Sequence, residues 1–357
     1  LSTVNYNPPR GPSAEWGDSS GDEGNRVDRF LACVAYLDGV RPSLVMCRGY
    51  YAHPVPLNGG GPKIGQTWLA AWDFRGGSLT PRWTFGAIRD QSGTGNANWQ
   101  YTCQGNHNLS VGDVDSDGKD EIIYGAMAIN DDGSKMYYSG SEDAHGDAMH
   151  LGDLDPDRPG LEVWQCHEAG LGADLRDART GQVIFRYASS GDVGRACAAD
   201  LTSTKGVEVW AGSSFYTCKG ANAGTVPSSC NFVIWWDGDD YRELLNGTTI
   251  SKYGGSTLLS ASGCAANNGT KSNPCLSADI LGDWREEVIF RTSDSSALRI
   301  YTTTNTTSRR VFTLMHDIMY RLAIAWQNVA YNQPPHTSFY LGGGMSTPAM
   351  PNIYLAP

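Results

Sequence analysis

Asp113-Val-Asp115-Ser-Asp117-Gly118-Lys119-Asp-Glu121 runs directly into Ile122-Ile-Tyr-Gly125. Alternate carboxylates and a glycine turn the chain tightly, and the apolar residues then carry it off as a short strand. The unit recurs. Asp153-Leu-Asp155-Pro-Asp157-Arg-Pro-Gly-Leu-Glu162 precedes Val163-Trp164, and Asp200 to Glu208 precedes Val209-Trp210. Asp279-Ile-Leu-Gly-Asp283-Trp-Arg-Glu-Glu287 precedes Val288-Ile-Phe290, and residues 36–46 carry a fainter echo around Asp38-Gly39. Between the copies lie pairs of strands joined by a Gly turn, such as Asp177-Ala-Arg-Thr-Gly181-Gln-Val-Ile-Phe185. Repeats every 40 to 50 residues or so, each with about four short strands, predict an all-β fold, a β-propeller. Helical periodicity is weak and no linker interrupts the chain, so residues 1–357 read as one domain. At roughly 40 to 50 residues per blade the chain holds about seven or eight blades. The long interval from Asp200 to Asp279 implies an inserted loop.

Carboxylates alternating along a tight loop converge on one point, and hard oxygens in that number suit Ca²⁺. The first loop is expected to bind through Asp113, Asp115, Asp117, Glu121 and the backbone carbonyl of Lys119. Without a cation its like charges repel. The second loop offers Asp153, Asp155, Asp157 and Glu162, with Pro159 and Gly160 displacing the glutamate by one position. The fourth offers Asp279, Asp283 and Glu287. The third keeps only Asp200 and Glu208 and reads as a hydrogen-bonded turn. Several bound calcium ions would offset much of the formal net charge of -11.

That acidity argues against nucleic acid as a partner, since phosphate contact needs a basic face. It does not exclude an anionic substrate if metal neutralises the acidic loops. No apolar run is long enough to span a membrane. The start at Leu1-Ser2-Thr3-Val4 reads like the end of a strand in a processed or truncated chain. Nine cysteines, with Cys33/Cys47, Cys218/Cys230 and Cys264/Cys275 close enough to close loops, point to an oxidising, extracellular setting. Sequons at Asn108, Asn246, Asn268 and Asn305 permit glycosylation but add little.

Nucleotide-binding glycine motifs, the serine-hydrolase elbow and the H-E-x-x-H zinc motif are all absent. Three polar stretches stand out. His107 and His145 lie in Gly-containing loops beside acidic units; either alone reads as a histidine satisfied by backbone. Arg195 follows Gly191-Asp-Val-Gly194 and alone reads as a surface salt bridge. Asn267-Asn268-Gly269-Thr270-Lys271 is first of all a turn.

Cys103-Gln-Gly-Asn-His107, Ala144-His-Gly-Asp-Ala-Met-His-Leu-Gly-Asp-Leu-Asp, Asn268-Gly-Thr-Lys271 and Trp326-Gln-Asn-Val-Ala-Tyr331-Asn-Gln-Pro-Pro-His336 carry a further signal. With Tyr6-Asn-Pro-Pro-Arg-Gly and Gly24-Asn-Arg-Val-Asp-Arg-Phe, they resemble the eleventh family of polysaccharide lyases, the rhamnogalacturonan lyases. The likeness runs nearly end to end. It implies an eight-bladed propeller studded with Ca²⁺ that cuts the rhamnose–galacturonate backbone of pectin by β-elimination. It implies Lys271 as base, Arg195 as its assistant at the uronate, and Asn268, Gly269, Thr270 and Tyr331 as sugar contacts. His107 and His145 then lie at the site and hold a calcium. The family carries a further stretch before the Tyr6 segment, so this chain reads as most of a catalytic domain. Leu57-Asn-Gly-Gly-Gly-Pro62 and the extra cysteines look like divergence. A monomeric, secreted enzyme is expected.

β-Elimination removes a proton α to a carboxylate, which is too weakly acidic until the carboxylate is neutralised. Calcium and Arg195 suit that task, and Lys271 serves as base only in its neutral form. Two rival readings are a non-catalytic calcium propeller that binds glycan or protein, and a quinone-dependent dehydrogenase suggested by the Asp177-Ala-Arg-Thr-Gly turn.

Overall fold

The computed structural model describes residues 2–18, 24–49, 64–90, 92–141, 143–329 and 331–351. The Leu57–Pro62 stretch lies outside them. Among the described residues the chain forms six antiparallel sheets, one after another in sequence. The first is β1 (Phe30–Ala35), β2 (Ser43–Arg48), β3 (Gly65–Arg75) and β4 (Ser78–Arg89). The second is β5 (Ser110–Gly112), β6 (Glu121–Tyr124), β7 (Met127–Ile129) and β8 (Lys135–Tyr138). The third is β9 (Met149–Gly152), β10 (Glu162–Cys166), β11 (Ala173–Asp177) and β12 (Val183–Tyr187). The fourth has three strands, β13 (Ala196–Ala199), β14 (Glu208–Ala211) and β15 (Ser214–Thr217). The fifth is β16 (Phe232–Ile234), β17 (Glu243–Asn246), β18 (Thr249–Ser251) and β19 (Thr257–Ser260). In the sixth, β22 (Glu287–Thr292) pairs with β20 (Cys264–Ala265), β21 (Leu276–Ala278) and β23 (Leu298–Tyr301).

Inner strands read as apolar runs because both of their faces are covered. In β16, Phe232 and Ile234 pack with Val288 and Phe290 of the sixth sheet. Val233 between them turns the other way, onto Cys197, Trp210 and Phe215 of the fourth. Truncating a buried phenylalanine such as Phe232 to alanine costs about 3–5 kcal/mol.

One device repeats in five sheets. Glu121, Glu162, Glu208, Glu243 and Glu287 each open the second strand of a hairpin, and each is buried. Each carboxylate reaches back to the amides that follow the preceding strand. Glu121 accepts from Val114 at 2.9 Å. Glu162 accepts from Leu154 and Asp155, both at 3.1 Å. Glu208 accepts from Leu201 at 2.8 Å, Glu243 from Trp236 at 2.8 Å, and Glu287 from Ile280 and Leu281 at 2.9 Å. These amides bend away from any ladder and need an acceptor. Hydrogen bonds to a charged acceptor contribute about 1.5–3 kcal/mol each.

Chain contacts divide the molecule into two compact units, a division with no linker to mark it in the sequence. Unit 1 is residues 1–149 and 165–194; unit 2 is residues 150–164 and 195–357. Two further differences from expectation stand out. Ile318–Trp326 is an α-helix, α1, whose N-cap Asp317 accepts from the Tyr320 amide at 3.2 Å. Its nine residues are mostly apolar and largely buried, so no polar face reveals the helical period. No helix among the described residues is long and apolar enough to cross a membrane. Secondly, all nine cysteines are free thiols, so no loop-closing disulfide forms. Cys33 pairs in register with Val45 while Cys47 pairs with Leu31, so the two cysteines are not cross-strand partners. The leading residues 2–6 form no strand.

Candidate functional site

In unit 2 an isolated bridge between Asn267 and Asn273 pinches off the loop that carries the Asn-Gly-Thr-Lys run. The two residues exchange backbone hydrogen bonds of 2.8 and 3.2 Å. At the tip the Asn268 carbonyl accepts from the amides of Lys271 at 2.9 Å and Ser272 at 2.7 Å. Asn268 adopts φ +51°, the left-handed region that asparagine tolerates better than most residues. Asn268, Gly269 and Thr270 are exposed. Lys271 is half-buried, its Nζ lying 4.6 Å from the Tyr331 ring centroid. The segment bearing Tyr331 is tied to the same loop, with Asn332 donating to Pro274 O at 3.0 Å and Asn328 to Cys275 O at 2.6 Å.

Arg195 immediately precedes β13. Its Nη2 donates to Asn231 O at 3.1 Å, and Asn273 Nδ2 reaches the same carbonyl at 3.5 Å. Nε and Nη1 of Arg195 are buried with no hydrogen-bond partner among the described residues. Burial pushes the neighbouring Cys230 thiol up, and the charges of Arg195 and Lys271 draw it back. Arg195 and the base of the Lys271 loop thus meet at one carbonyl, although 76 positions separate 195 from 271. A guanidinium with open N–H groups, an amine and a ring of exposed amide and hydroxyl groups can hold a carboxylate and accept a proton.

Unit 1 gathers His107, His145, Asp147 and Glu168, whose ligand atoms lie within 4.8 Å of one another. A parallel bridge between Asn106 and Gly146 sets the two histidine loops side by side. The rings stand edge to face with centroids 4.9 Å apart. His107 Nε2 is 3.3 Å from Asp147, and His145 Nε2 is 3.5 Å from Glu168. His145 Nδ1 faces the Gly105 carbonyl and must carry a proton there. A neutral ring then turns its Nε2 lone pair toward a carboxylate, an arrangement that needs a second proton or a cation between them. The donor set fits a metal ion. Its carboxylates suit calcium, and its imidazoles widen the choice toward transition metals.

Of the acidic loops, the first converges. Asp113, Asp115 and Glu121 form one group, and Asp117, Glu121 and Asp131 an overlapping one. Glu121 Oε1 is buried without a hydrogen-bond partner among the described residues. Burial, reinforced by Asp115 and Asp113, pushes the Glu121 carboxyl up to about 8. A divalent cation would relieve both conditions, so these residues fit calcium. Lys119 enters through its ammonium, 3.0 Å from both Asp117 and Asp131.

The second and fourth loops are not brought together as metal groups among the described residues. Lys219 lies 2.7 Å from Asp155 and 3.1 Å from Asp157, and Lys205 lies 2.7 Å from Asp157. Asp153 turns to the Tyr340 amide at 2.9 Å, and Glu162 to its own hairpin. In the fourth loop Asp279 is saturated by the amides of Gly282, Asp283, Trp284 and Leu314. Asp283 pairs with Arg285 and Glu287 caps its hairpin. The Asp200 turn is hydrogen-bonded as expected, through Glu208 and Thr202. The sequon at Asn108 is buried, its amide donating to Met149 O at 3.0 Å, which leaves no room for a glycan.

Comparison with known proteins bears on this geometry. A family profile described as "Rhamnogalacturonan lyase family 11, C-terminal domain" matches residues 1–351. The chain belongs to rhamnogalacturonan lyase family 11. Within the family, the rhamnogalacturonan endolyase YesW of Bacillus subtilis (strain 168) is 55% identical over 364 aligned positions, covering 99% of this chain and 55% of the relative. The rhamnogalacturonan exolyase YesX of the same organism is 52% identical, covering 100% of this chain and 59% of the relative. The solved structure of YesW superposes with a TM-score of 0.89 at 54% identity, covering 99% of this chain and 58% of that one. A Bacillus licheniformis rhamnogalacturonan lyase superposes with a TM-score of 0.89 at 57% identity, with the same coverage. The chain thus spans a little over half the length of these family members.

Sequence reasoning missed Glu168, which no motif marks. It also missed the loop Asp237-Gly-Asp239-Asp-Tyr-Arg-Glu243, whose acids converge within 4.8 Å. Its D-x-D-x-x-x-E spacing repeats that of Asp115, Asp117 and Glu121 and was legible.

Proposed function

We propose that this chain is the catalytic portion of a calcium-dependent rhamnogalacturonan lyase that cleaves the rhamnose–galacturonate bond by β-elimination, its sheets being blades of a β-propeller. Family membership supports the lyase chemistry, and serial antiparallel sheets with apolar inner strands support the blades. The observation that carries the assignment is that Arg195 and the base of the Lys271 loop meet at the Asn231 carbonyl, with two guanidinium nitrogens unpaired among the described residues.

In this reading the open N–H groups of Arg195 neutralise the galacturonate carboxylate as charge develops on it. The Lys271 amine takes the proton α to that carboxylate. The electron pair forms the new double bond, and the oxygen at the β carbon leaves with the rest of the chain. Asn268, Gly269, Thr270 and Tyr331 contact the sugar. Calcium bound by His107, His145, Asp147 and Glu168 supplies positive charge for an anionic ligand, and calcium at the Asp113 loop holds a turn. A pectin polymer is met outside the cell, so an extracellular setting follows from the proposal.

The test is incubation with rhamnogalacturonan, with and without chelator, following the ultraviolet absorbance of the unsaturated product. Absorbance should rise, and chelator should suppress it. A flat trace in calcium rejects the assignment.

A further inference from the structure

The acidic loop of the fifth sheet is built like a calcium loop, yet a lysine stands inside it. Lys252 lies in the turn between β18 and β19. Its Nζ is 2.9 Å from Asp237, 2.6 Å from Asp239 and 2.7 Å from Glu243. Those three acids would otherwise form a metal-sized group. Glu243 is fully buried, so one carboxylate of the group has no access to solvent. An ammonium has three N–H donors around a compact charge, one for each of the three carboxylates. Burial weakens the Lys252 charge, but Glu243 and Asp239 outweigh it and the amine is held above its ordinary value. The Asp113, Asp115 and Glu121 group differs, because its neighbouring Lys119 is turned onto Asp117 and Asp131. The second loop follows the lysine pattern, with Lys219 and Lys205 on Asp155 and Asp157.

We propose that Lys252 is the resident cation of the fifth-sheet loop, standing where a divalent ion would sit. Calcium implied by the family therefore does not fit this loop, whose turn is held without metal. The inference rests on the reading of the Asp113 loop as a calcium loop. It predicts that removing the lysine charge exposes a calcium site with the donor set Asp237, Asp239 and Glu243.

The experiment compares the full chain with Lys252→Met and Lys252→Arg. Bound calcium is counted by elemental analysis after dialysis, and thermal midpoints are read in EDTA and in millimolar CaCl₂. Lys252→Met should bind one calcium more per chain than the parent. Its midpoint should fall in EDTA and recover in calcium by more than the parent's does. Lys252→Arg should leave the count unchanged. An unchanged count in Lys252→Met, or a lowered midpoint that calcium does not restore, overturns the proposal. If Lys252→Met folds in neither condition, Lys252→Gln removes the same charge and gives the same reading, where no added calcium likewise overturns it. A parent chain that binds no calcium at all rejects the calcium reading of the Asp113 loop. The gain on removing Lys252 is scored separately, as a difference between variant and parent.

Discussion

The ammonium of Lys271 rests 4.6 Å from the centre of the Tyr331 ring, joining two segments 60 residues apart. The ring packs the amine of the Asn-Gly-Thr-Lys loop against the segment that carries Tyr331. Lys271→Ala should lower kcat by about 100-fold or more, the range of general-base catalysis. Stability should change little, by about 0.5 kcal/mol, since the side chain lies outside the core. Tyr331→Phe keeps the ring and should retain most activity, whereas Tyr331→Ala should not. Initial rates of product absorbance, with thermal midpoints alongside, check all three.

Arg195 keeps two guanidinium nitrogens buried without partners among the described residues, at a cost in free energy. A carboxylate ligand would satisfy them in a paired geometry that lysine cannot reproduce. Arg195→Lys should therefore cut kcat/KM by about 100- to 1,000-fold, the loss seen when one electrostatic donor is removed. A rate within a few-fold of the parent would remove Arg195 from the chemistry.

Glu121 lacks a partner for one buried oxygen, and its neighbours are acidic. At a hundred times its dissociation constant, a calcium ion bound there stabilises the fold by about 2.7 kcal/mol. Calcium should raise the thermal midpoint of the parent, and Asp115→Asn should blunt that response. Calorimetry at several calcium concentrations is the direct measurement.

His150 Nδ1 lies 3.0 Å from His336 Nε2, and His150 Nε2 lies 2.9 Å from the Ala196 carbonyl. His150 is fully buried and His336 half-buried. Burial lowers the His150 imidazole to about 3, and lowers His336 well below its ordinary range. In the unfolded chain histidine titrates near 6.5, so the unfolded state binds more protons below that pH. The pair's contribution is complete above about 6.5 and is lost as pH falls from there toward 3. His336→Asn should flatten this acid limb in urea titrations between pH 4 and 7.

All nine cysteines are thiols, and most are buried. Denatured, unreduced protein should react with nine equivalents of a thiol reagent, and native protein with far fewer. Seven equivalents or fewer after denaturation would reveal a disulfide.

Much of the fold was legible because the hairpin unit is local. Asp113 to Glu121 contains its own turn residues and its own acceptor, and its spacing repeats at Asp200 to Glu208 and Asp279 to Glu287 and, displaced by one position, at Asp153 to Glu162. α1 was hidden because Ile318–Trp326 is apolar around most of its circumference, so its hydrophobic pattern shows no face. In the second and fourth loops the acids meet other partners. Spacing reports which carboxylates can converge, but not that Lys219 or the Leu314 amide arrives from a distant part of the chain to meet them. Glu168 could not be found, since it joins His145 only through the fold.

By itself the sequence determined what short-range chemistry determines: the strands, their turns, the recurring acidic loops and the resemblance that named Lys271 and Arg195. Tertiary structure alone decided which acidic loops face a lysine and which face one another, which cysteines stay apart, and that Arg195, Lys271 and Tyr331 share one neighbourhood. Charge and hydrogen-bond partners are matched through space, by groups tens of residues apart, and no local pattern encodes that match.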